Sequence, residues 1–227
     1  MMMKIISIIP ARGGSTEIPL KNLIKLNKKP LLEYTVNASL NSSMINRTIV
    51  STDHSKIQQM ATELGAEIIK RPKRLSGNKI GIEPSISHVL DTLEKNEDYI
   101  PDLVLLLQNT SPLRNSKHID RAIKFLIKNK YDSVFSAYLS HYLFWEKINK
   151  KYVPMNYDPL KRPNRQQMKN QFIENGAIFV TKNSSFKKTK CRISGKIGIY
   201  EMPEKLSYQI DSYDDIFIIE RLLKSKK

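Results

Sequence analysis

KIISIIPARGGS, residues 4–15, decides the fold. An isoleucine-rich run over residues 4–10 is apolar at nearly every position and ends in a proline. Continuous apolar character, without strict alternation, fits a strand covered on both faces, as in the centre of a parallel sheet. The run opens into a loop of small residues, Gly13, Gly14 and Ser15, with Arg12 at its start. The question is what a central strand feeding such a loop is built to hold.

Outward from this stretch, strand-like and helix-like segments alternate. Residues 31–40 read as a helix and residues 48–51 as a second strand. Ile57, Met60, Ala61 and Leu64 recur at i, i+3, i+4, i+7, an amphipathic helix, and Gly65 stands where a left-handed C-terminal residue ends it. AEIIK (66–70) is a third strand. Ile86, Val89, Leu90 and Leu93 form another helical face; residues 103–107 are an apolar strand. Ile119, Ala122, Ile123 and Leu126 predict the next helix, and DSVFSA (132–137) a further strand. Residues 174–181 and 196–202 read as strands, and a last helix covers 214–223, with Ser212 and Asp215 at capping-box spacing. Asp53, between a strand and a helix, reads as an N-cap, with a ligand role as the less favoured alternative. The alternation predicts an α/β fold, a mostly parallel sheet with helices on both faces. Residues 139–172 break the pattern: polar, aromatic and proline-bearing, they read as an extension, a β-rich arm on a single domain spanning residues 1–227.

The bulk numbers narrow the function. With 227 residues and 40% hydrophobic content the chain can bury a sizeable core. The net charge of +16 comes from 38 basic and 22 acidic residues spread along the chain. Without a basic cluster interleaved with aromatics this is a weak nucleic-acid footprint, and no nucleic-acid partner is expected. Cys191 is the single cysteine, which fits a reducing cytoplasm. The apolar start is too short to span a membrane and lacks a signal-peptide core, so no membrane partner is expected. His54, His88, His118 and His141 do not pair at zinc-ligand spacing.

In parallel sheets ligands sit beyond the carboxyl ends of the strands, which directs attention to the loops at 11–22, 52–55, 71–85 and 108–115, and to the segment before the last helix. Residues 11–22 carry neither a Walker A motif nor GxGxxG. The glycines let backbone amides approach an anion, Arg12 offers a fork for phosphate oxygens and Lys21 a point charge. A plain glycine turn with two surface cations satisfies the same residues. Gln108, Asn109, Thr110 and Ser111 crowd donors and acceptors past a buried strand, suiting a polyhydroxylated ligand or an ordinary turn. Arg165 and Gln166 suit a carboxylate or simply a surface loop, and Asp211 offers Mg²⁺ a hard oxygen or serves a helix dipole.

Taken in order, ARGGSTEIPLKN, STD, Arg71-Pro72, LLLQNTSPLR, RPNRQQ, ENGAIF and QIDSYDD resemble the acylneuraminate cytidylyltransferase (CMP-sialic acid synthetase) family over nearly the whole chain. The resemblance implies a Rossmann-like domain and a homodimer whose arm reaches the partner's site. It implies CTP and a nine-carbon 2-keto sugar acid as substrates, Mg²⁺ as cofactor, and a CMP-sugar and pyrophosphate as products. By matched position, Arg12, Ser15 and Lys21 would hold the phosphates, Asn22 and Arg71 would recognise the cytidine, and Ala11 and Gly13 would also belong to the nucleotide site. Gln108, Ser111, Arg165, Gln166, Asn175 and Phe179 would bind the sugar. Asp211 would carry the metal and, with Arg12 and Lys21, the chemistry.

Three departures stand out. Thr16-Glu17 replaces the family's usual Lys-Gly, Asn109 replaces its proline, and Gln209 stands where an acidic residue accompanies the metal aspartate. Gln209 offers a metal a carbonyl oxygen but no charge. Glu17 is expected to point away from the phosphates. A 3-deoxy-manno-octulosonate cytidylyltransferase and a nucleotide-binding homologue with impaired turnover are the alternatives.

Overall fold

The computed structural model describes residues 3–168 and 171–224. In chain order the strands are β1 (Ile5–Pro10), β2 (Lys25–Leu26), β3 (Lys29–Pro30), β4 (Arg47–Thr52), β5 (Glu67–Lys70), β6 (Leu103–Leu106), β7 (Ser133–Ser140), β8 (Trp145–Ile148), β9 (Lys151–Pro154), β10 (Gln171–Lys182) and β11 (Ile197–Glu201). The helices are α1 (Leu31–Leu40), α2 (Ser55–Glu63), α3 (Glu83–Glu97), α4 (Ser116–Asn129), α5 (Asn183–Thr189) and α6 (Tyr213–Lys224). A seven-stranded sheet runs β11-β7-β10-β6-β1-β4-β5. β1 pairs in parallel with both β4 and β6, and β10 is the one antiparallel member, between β6 and β7. The sheet is therefore mixed and mostly parallel, as the alternation predicts.

The isoleucine run behaves as a two-sided strand. Ile5 and Ile9 face a core built with Leu32 and Val36 of α1, Ile57 of α2, and Ile119 and Ile123 of α4. Ile6 and Ile8 face the opposite core, with Ile86, Val89 and Leu90 of α3 and Phe186 of α5. Successive side chains point to opposite faces, so one strand serves both layers. Ile6, Ile8 and Ile9 are each 0% exposed, and burying such a side chain contributes roughly 1.5–3 kcal/mol. Ser7, among them, reaches Ser39 Oγ at 2.5 Å, and Ser39 in turn meets Thr48 Oγ1 at 2.7 Å, so the buried hydroxyls satisfy one another.

The helix boundaries follow local chemistry. Gly65 takes φ +89 two residues past α2, as its position in the sequence predicts. Asn115 caps α4: its side chain accepts from His118 N–H, and His118 Nδ1 accepts from Asn115 N–H. Ser212 and Asp215 make the predicted box at the start of α6. α5 follows β10 directly in a segment, KNSSFKKTK, without amphipathic spacing.

The extension is β-rich, with boundaries that differ from the expected 139–172. Leu139 and Ser140 still belong to β7 and pair with Phe172 and Gln171 of β10. Both strands overrun the sheet as a two-stranded ribbon, and the arm grows from its end. Within the arm β8 and β9 form a hairpin that, among the described residues, pairs with no other strand.

A third, smaller core explains how distant segments meet. Ile18 from the glycine loop, Leu26, Leu31, Leu113, Ile210 and Ile219 of α6 bury one another. This packing draws residues 11–22, 108–115 and 209–215 to the carboxyl end of the sheet. No helix among the described residues is long and apolar enough to cross a membrane.

Candidate active site

Loops leaving β1, β5 and β6 line a cleft with two hollows, of about 260 Å³ and 190 Å³. They share Pro10, Arg12 and Ile82. The first lies against Arg71 and the 75–85 loop; the second is walled by Ser15, Lys21, Asn22, Gln108, Asn109 and Thr110.

The glycine loop is held from below. Gly13 N–H donates to Asp53 Oδ1 at 3.0 Å. Asp53 does not cap α2, since His54 occupies the N-cap position; its carboxylate is spent on the loop, a correction to the capping reading. A Cβ on Gly13 would lie 2.7 Å from His54 Cδ2, so the close approach itself requires glycine. Ala11 is fully buried and its N–H donates to Ser51 O at 2.9 Å, extending the sheet. Glu17 is exposed and lines neither hollow.

Three cations border the cleft. Arg12 Nη1 donates to Gly77 O at 3.0 Å, reaching across to the 71–85 loop. Arg71 is buried and donates to Ser51 O and Ser51 Oγ. Burial lowers its pKa to about 10; Asp53 nearby opposes the shift and Arg12 adds to it. Lys21 Nζ donates to Ile210 O at 2.9 Å and to Asp211 Oδ1 at 3.1 Å. The Asp211 side chain is 72% exposed, so this is a loose pair open to exchange for another ligand.

Several residues expected to touch a ligand instead hold the walls. Asn22 Nδ2 donates to Arg12 O at 2.9 Å, and its Oδ1 accepts from Asn109 Nδ2 at 2.9 Å. Asn109, at the position of the family's proline, thus ties the second loop to the first. Ser111 Oγ donates to Asn175 O, and the Asn175 side chain is engaged with Ser136, Ala177 N–H and Ser207. Phe179 is 1% exposed inside the core under Arg192, not on the cleft surface. Its expected role as a pocket wall is corrected: its position past the β10 bulge turns the ring inward. Gln108 does line the cleft. Arg165 and Gln166 lie exposed on a 3-10 turn of the arm and line neither hollow.

Arg114 escaped the sequence reading. It is 3% exposed and donates to Ser111 O, Gln108 O and Thr35 Oγ1, which shapes the 108–115 loop. Burial pulls its pKa down to about 9. The signal was the arginine closing SPLR, directly before a helix cap.

The cleft therefore offers a glycine loop, three cations and one exposed carboxylate at the carboxyl edge of a parallel sheet. A cytidylyltransferase sequence profile matches residues 6–225. The chain belongs to the cytidylyltransferase family. Among curated relatives, this chain is 34% identical to N-acylneuraminate cytidylyltransferase A of Danio rerio over 211 residues, 90% of this chain and 47% of that one. It is 31% identical to the N-acylneuraminate cytidylyltransferase of Streptococcus agalactiae serotype III (strain NEM316) over 218 residues, 94% of this chain and 52% of that one. It thus spans about half the length of these relatives. Among solved structures, a CMP:2-keto-3-deoxy-manno-octonic acid synthetase complexed with CTP superposes with a TM-score of 0.70 at 14% identity, covering 99% of this chain and 100% of the other. A 4-diphosphocytidyl-2C-methyl-D-erythritol synthase gives 0.72 at 10% identity, covering 97% and 99%. At such identities the likeness is one of fold.

Proposed function

We propose that this chain transfers CMP from CTP to a sialic-acid-like nine-carbon 2-keto sugar acid. The observation that carries the reading is the meeting of Lys21 and Asp211 at 3.1 Å, across 190 residues of chain, at the mouth of the glycine loop. A cation for phosphate and a hard oxygen for a metal stand side by side where a triphosphate would lie along the loop. The names of the curated relatives supply the sugar class.

The reaction is an in-line displacement: the anomeric hydroxyl oxygen bonds to the α-phosphorus as the bond to pyrophosphate breaks, and the hydroxyl proton is lost. The protein's share is positioning and charge neutralisation. Arg12 exchanges Gly77 O for phosphate oxygens, and Lys21 exchanges Asp211 for them. Gly13, fixed by Asp53, and Ser15 present the loop to the phosphates. Arg71 and the 75–85 loop border the cytidine end, and Asn22 acts there through the Arg12 carbonyl. Gln108 faces the sugar; Ser111 and Asn175 support it from beneath.

Mg²⁺ takes hard oxygens, commonly one or two carboxylates together with phosphate oxygens. Among the described residues no three His, Cys, Asp or Glu cluster at metal-binding distance. The exposed Asp211 beside the loop therefore fits an ion shared with the nucleotide, not a protein cage. Such an ion would neutralise the triphosphate and lower the pKa of the attacking hydroxyl.

We also read the protein as a cytoplasmic homodimer in which the arm delivers Arg165 and Gln166 to the partner's cleft. Trp145, Tyr152, Met155 and Leu160 are exposed on the arm, with Leu160 at 92%, apolar side chains that a partner surface would cover. Sedimentation at a single monomer mass at working concentrations would overturn this. The enzyme reading is tested by pyrophosphate release with CTP, Mg²⁺ and a panel of 2-keto sugar acids, including 3-deoxy-manno-octulosonate. Release with a nine-carbon acid is expected; CTP binding without release by any acid refutes it.

A further inference from the structure

We propose that Gln209 is a specificity residue for the sugar acid, not a metal ligand, and that with Gln108 it forms an uncharged amide pair over Gly176. The inference rests on the sugar-acid reading above. Gly176 sits in the bulge of β10 with φ +65. A Cβ built on it would lie 2.2 Å from Gln108 Oε1 and 2.8 Å from Gln209 Oε1. Both amide oxygens therefore converge on the space above one bare backbone position. The two residues are 101 positions apart in sequence numbering, 108 and 209, and come from different loops.

Neither amide is consumed by the protein. Gln209 Oε1 has a single long contact, 3.5 Å from Thr110 Oγ1, and Gln108's side chain makes no hydrogen bond among the described residues. Asn22 and Asn175, by contrast, have both ends of their amides engaged. Two half-buried amides, one weakly engaged with the Thr110 hydroxyl, offer donors and acceptors but no charge. Gln108 and Thr110 line the same hollow as Lys21 and Ser15; Gln209 is not in its lining and adjoins it through Thr110 and the space above Gly176. That chemistry matches a hydroxyl or N-acyl amide of a sugar. A carboxylate at 209 would have served a divalent ion; the glutamine points its oxygen at Thr110 and Gly176 instead. Asp211 is left as the anionic ligand, the ion's other positions going to phosphate and water.

The test uses Gln209→Ala and Gln108→Ala in the full chain, with N-acetylneuraminate as the sugar probe. Mn²⁺·CTP binding is followed by water-proton relaxation without turnover, and KM for the sugar by pyrophosphate release. For Gln209→Ala, Mn²⁺·CTP affinity stays within about twofold and KM for the acid rises about 5- to 10-fold, the loss of one neutral hydrogen bond. Asp211→Ala is the contrast, losing Mn²⁺·CTP affinity while the melting temperature is kept. A tenfold loss of Mn²⁺·CTP affinity in Gln209→Ala, or an unmoved KM, overturns the assignment. Wild-type protein that binds Mn²⁺·CTP but makes no CMP-sugar from any acid of the panel sinks the sugar-acid reading instead, and that failure is visible before any variant is made. Gly176→Ala provides a second arm: it should raise KM for the acid by displacing both amides, leaving Mn²⁺·CTP affinity in place.

Discussion

Replacing Asn109 probes the link between the two halves of the cleft. Asn109 Nδ2 donates to Asn22 Oδ1, and Asn22 Nδ2 donates to the Arg12 carbonyl, each at 2.9 Å. Both asparagines are buried, at 4% and 8% exposure. Asn109→Ala strands the Asn22 oxygen, and an unsatisfied buried acceptor costs roughly 1–3 kcal/mol. For a domain of this size that is about 3–9 °C in Tm. The Asn109 Oδ1 atom already lacks a partner, so no second bond is lost. The chain of amides also fixes the loop that carries Arg12, and kcat/KM for CTP should fall about 5- to 30-fold, equivalent to about 1–2 kcal/mol. A double-mutant cycle isolates the pair: with Asn22→Ala already present, Asn109→Ala should cost at least ~0.5 kcal/mol less than alone. Calorimetric melting and CTP-dependent kinetics on the four proteins provide the data. Strictly additive costs in both assays would refute a coupling through Asn22. Asn109→Pro, the residue the family resemblance leads one to expect, should behave like Asn109→Ala in Tm, since among the described residues Asn109 N–H makes no main-chain bond that could be lost.

Arg12→Ala should lower kcat/KM for CTP by about 10²-fold while moving stability by less than about 0.5 kcal/mol, because its one bond to Gly77 O is exposed; an unchanged rate with wild-type Tm refutes a phosphate role. Asp53→Ala should raise KM for CTP and lower Tm together, having freed Gly13 N–H and removed a charge beside Arg71; equal KM values would show that the loop keeps its shape without the carboxylate. Asp215 sits below the ordinary aspartate range: burial pushes it up, but the N–H groups of Ser212 and Asp211 and the Ser212 hydroxyl outweigh that. Its contribution is therefore complete above the unfolded pKa near 4 and disappears as pH falls through the lower folded value. Asp215→Asn should cost about 1 kcal/mol at pH 7 and much less near pH 2.5, read from denaturant unfolding at both pH values; a cost that does not change with pH would exclude a charge effect.

The sheet was legible because its signal is collective. The Ile5–Pro10 and Leu103–Leu106 strands are apolar on both faces, and the helices between them repeat at helical spacing, so no single substitution could disguise the alternation. The antiparallel insertion of β10 was not legible, since pairing direction depends on the route of the chain and leaves no mark in a buried strand's composition. α5 was missed for a related reason. Seven residues are too few to show periodicity, and only Phe186 and Asn183 turn inward.

The cleft shows a sharper limit. Motif position located every loop that lines it, but polar residues there divide between those that face a ligand and those that hold the wall. The division is set by where each hydrogen bond goes, which is tertiary. Asn22 and Gln108 look equivalent in the sequence, two amides after two strands. One is spent on Arg12 O and Asn109; the other is free above Gly176. The departures from the family pattern sort the same way. Asn109 restores a wall contact through its own amide. Gln209 removes a charge and leaves an amide facing another amide. Glu17 is turned to solvent and touches neither hollow. A substitution that compensates itself within the wall should be tolerated, whereas one that changes what the open space can bond should change the substrate. Position 209 is therefore where selectivity among sugar acids should respond, and position 109 where stability should.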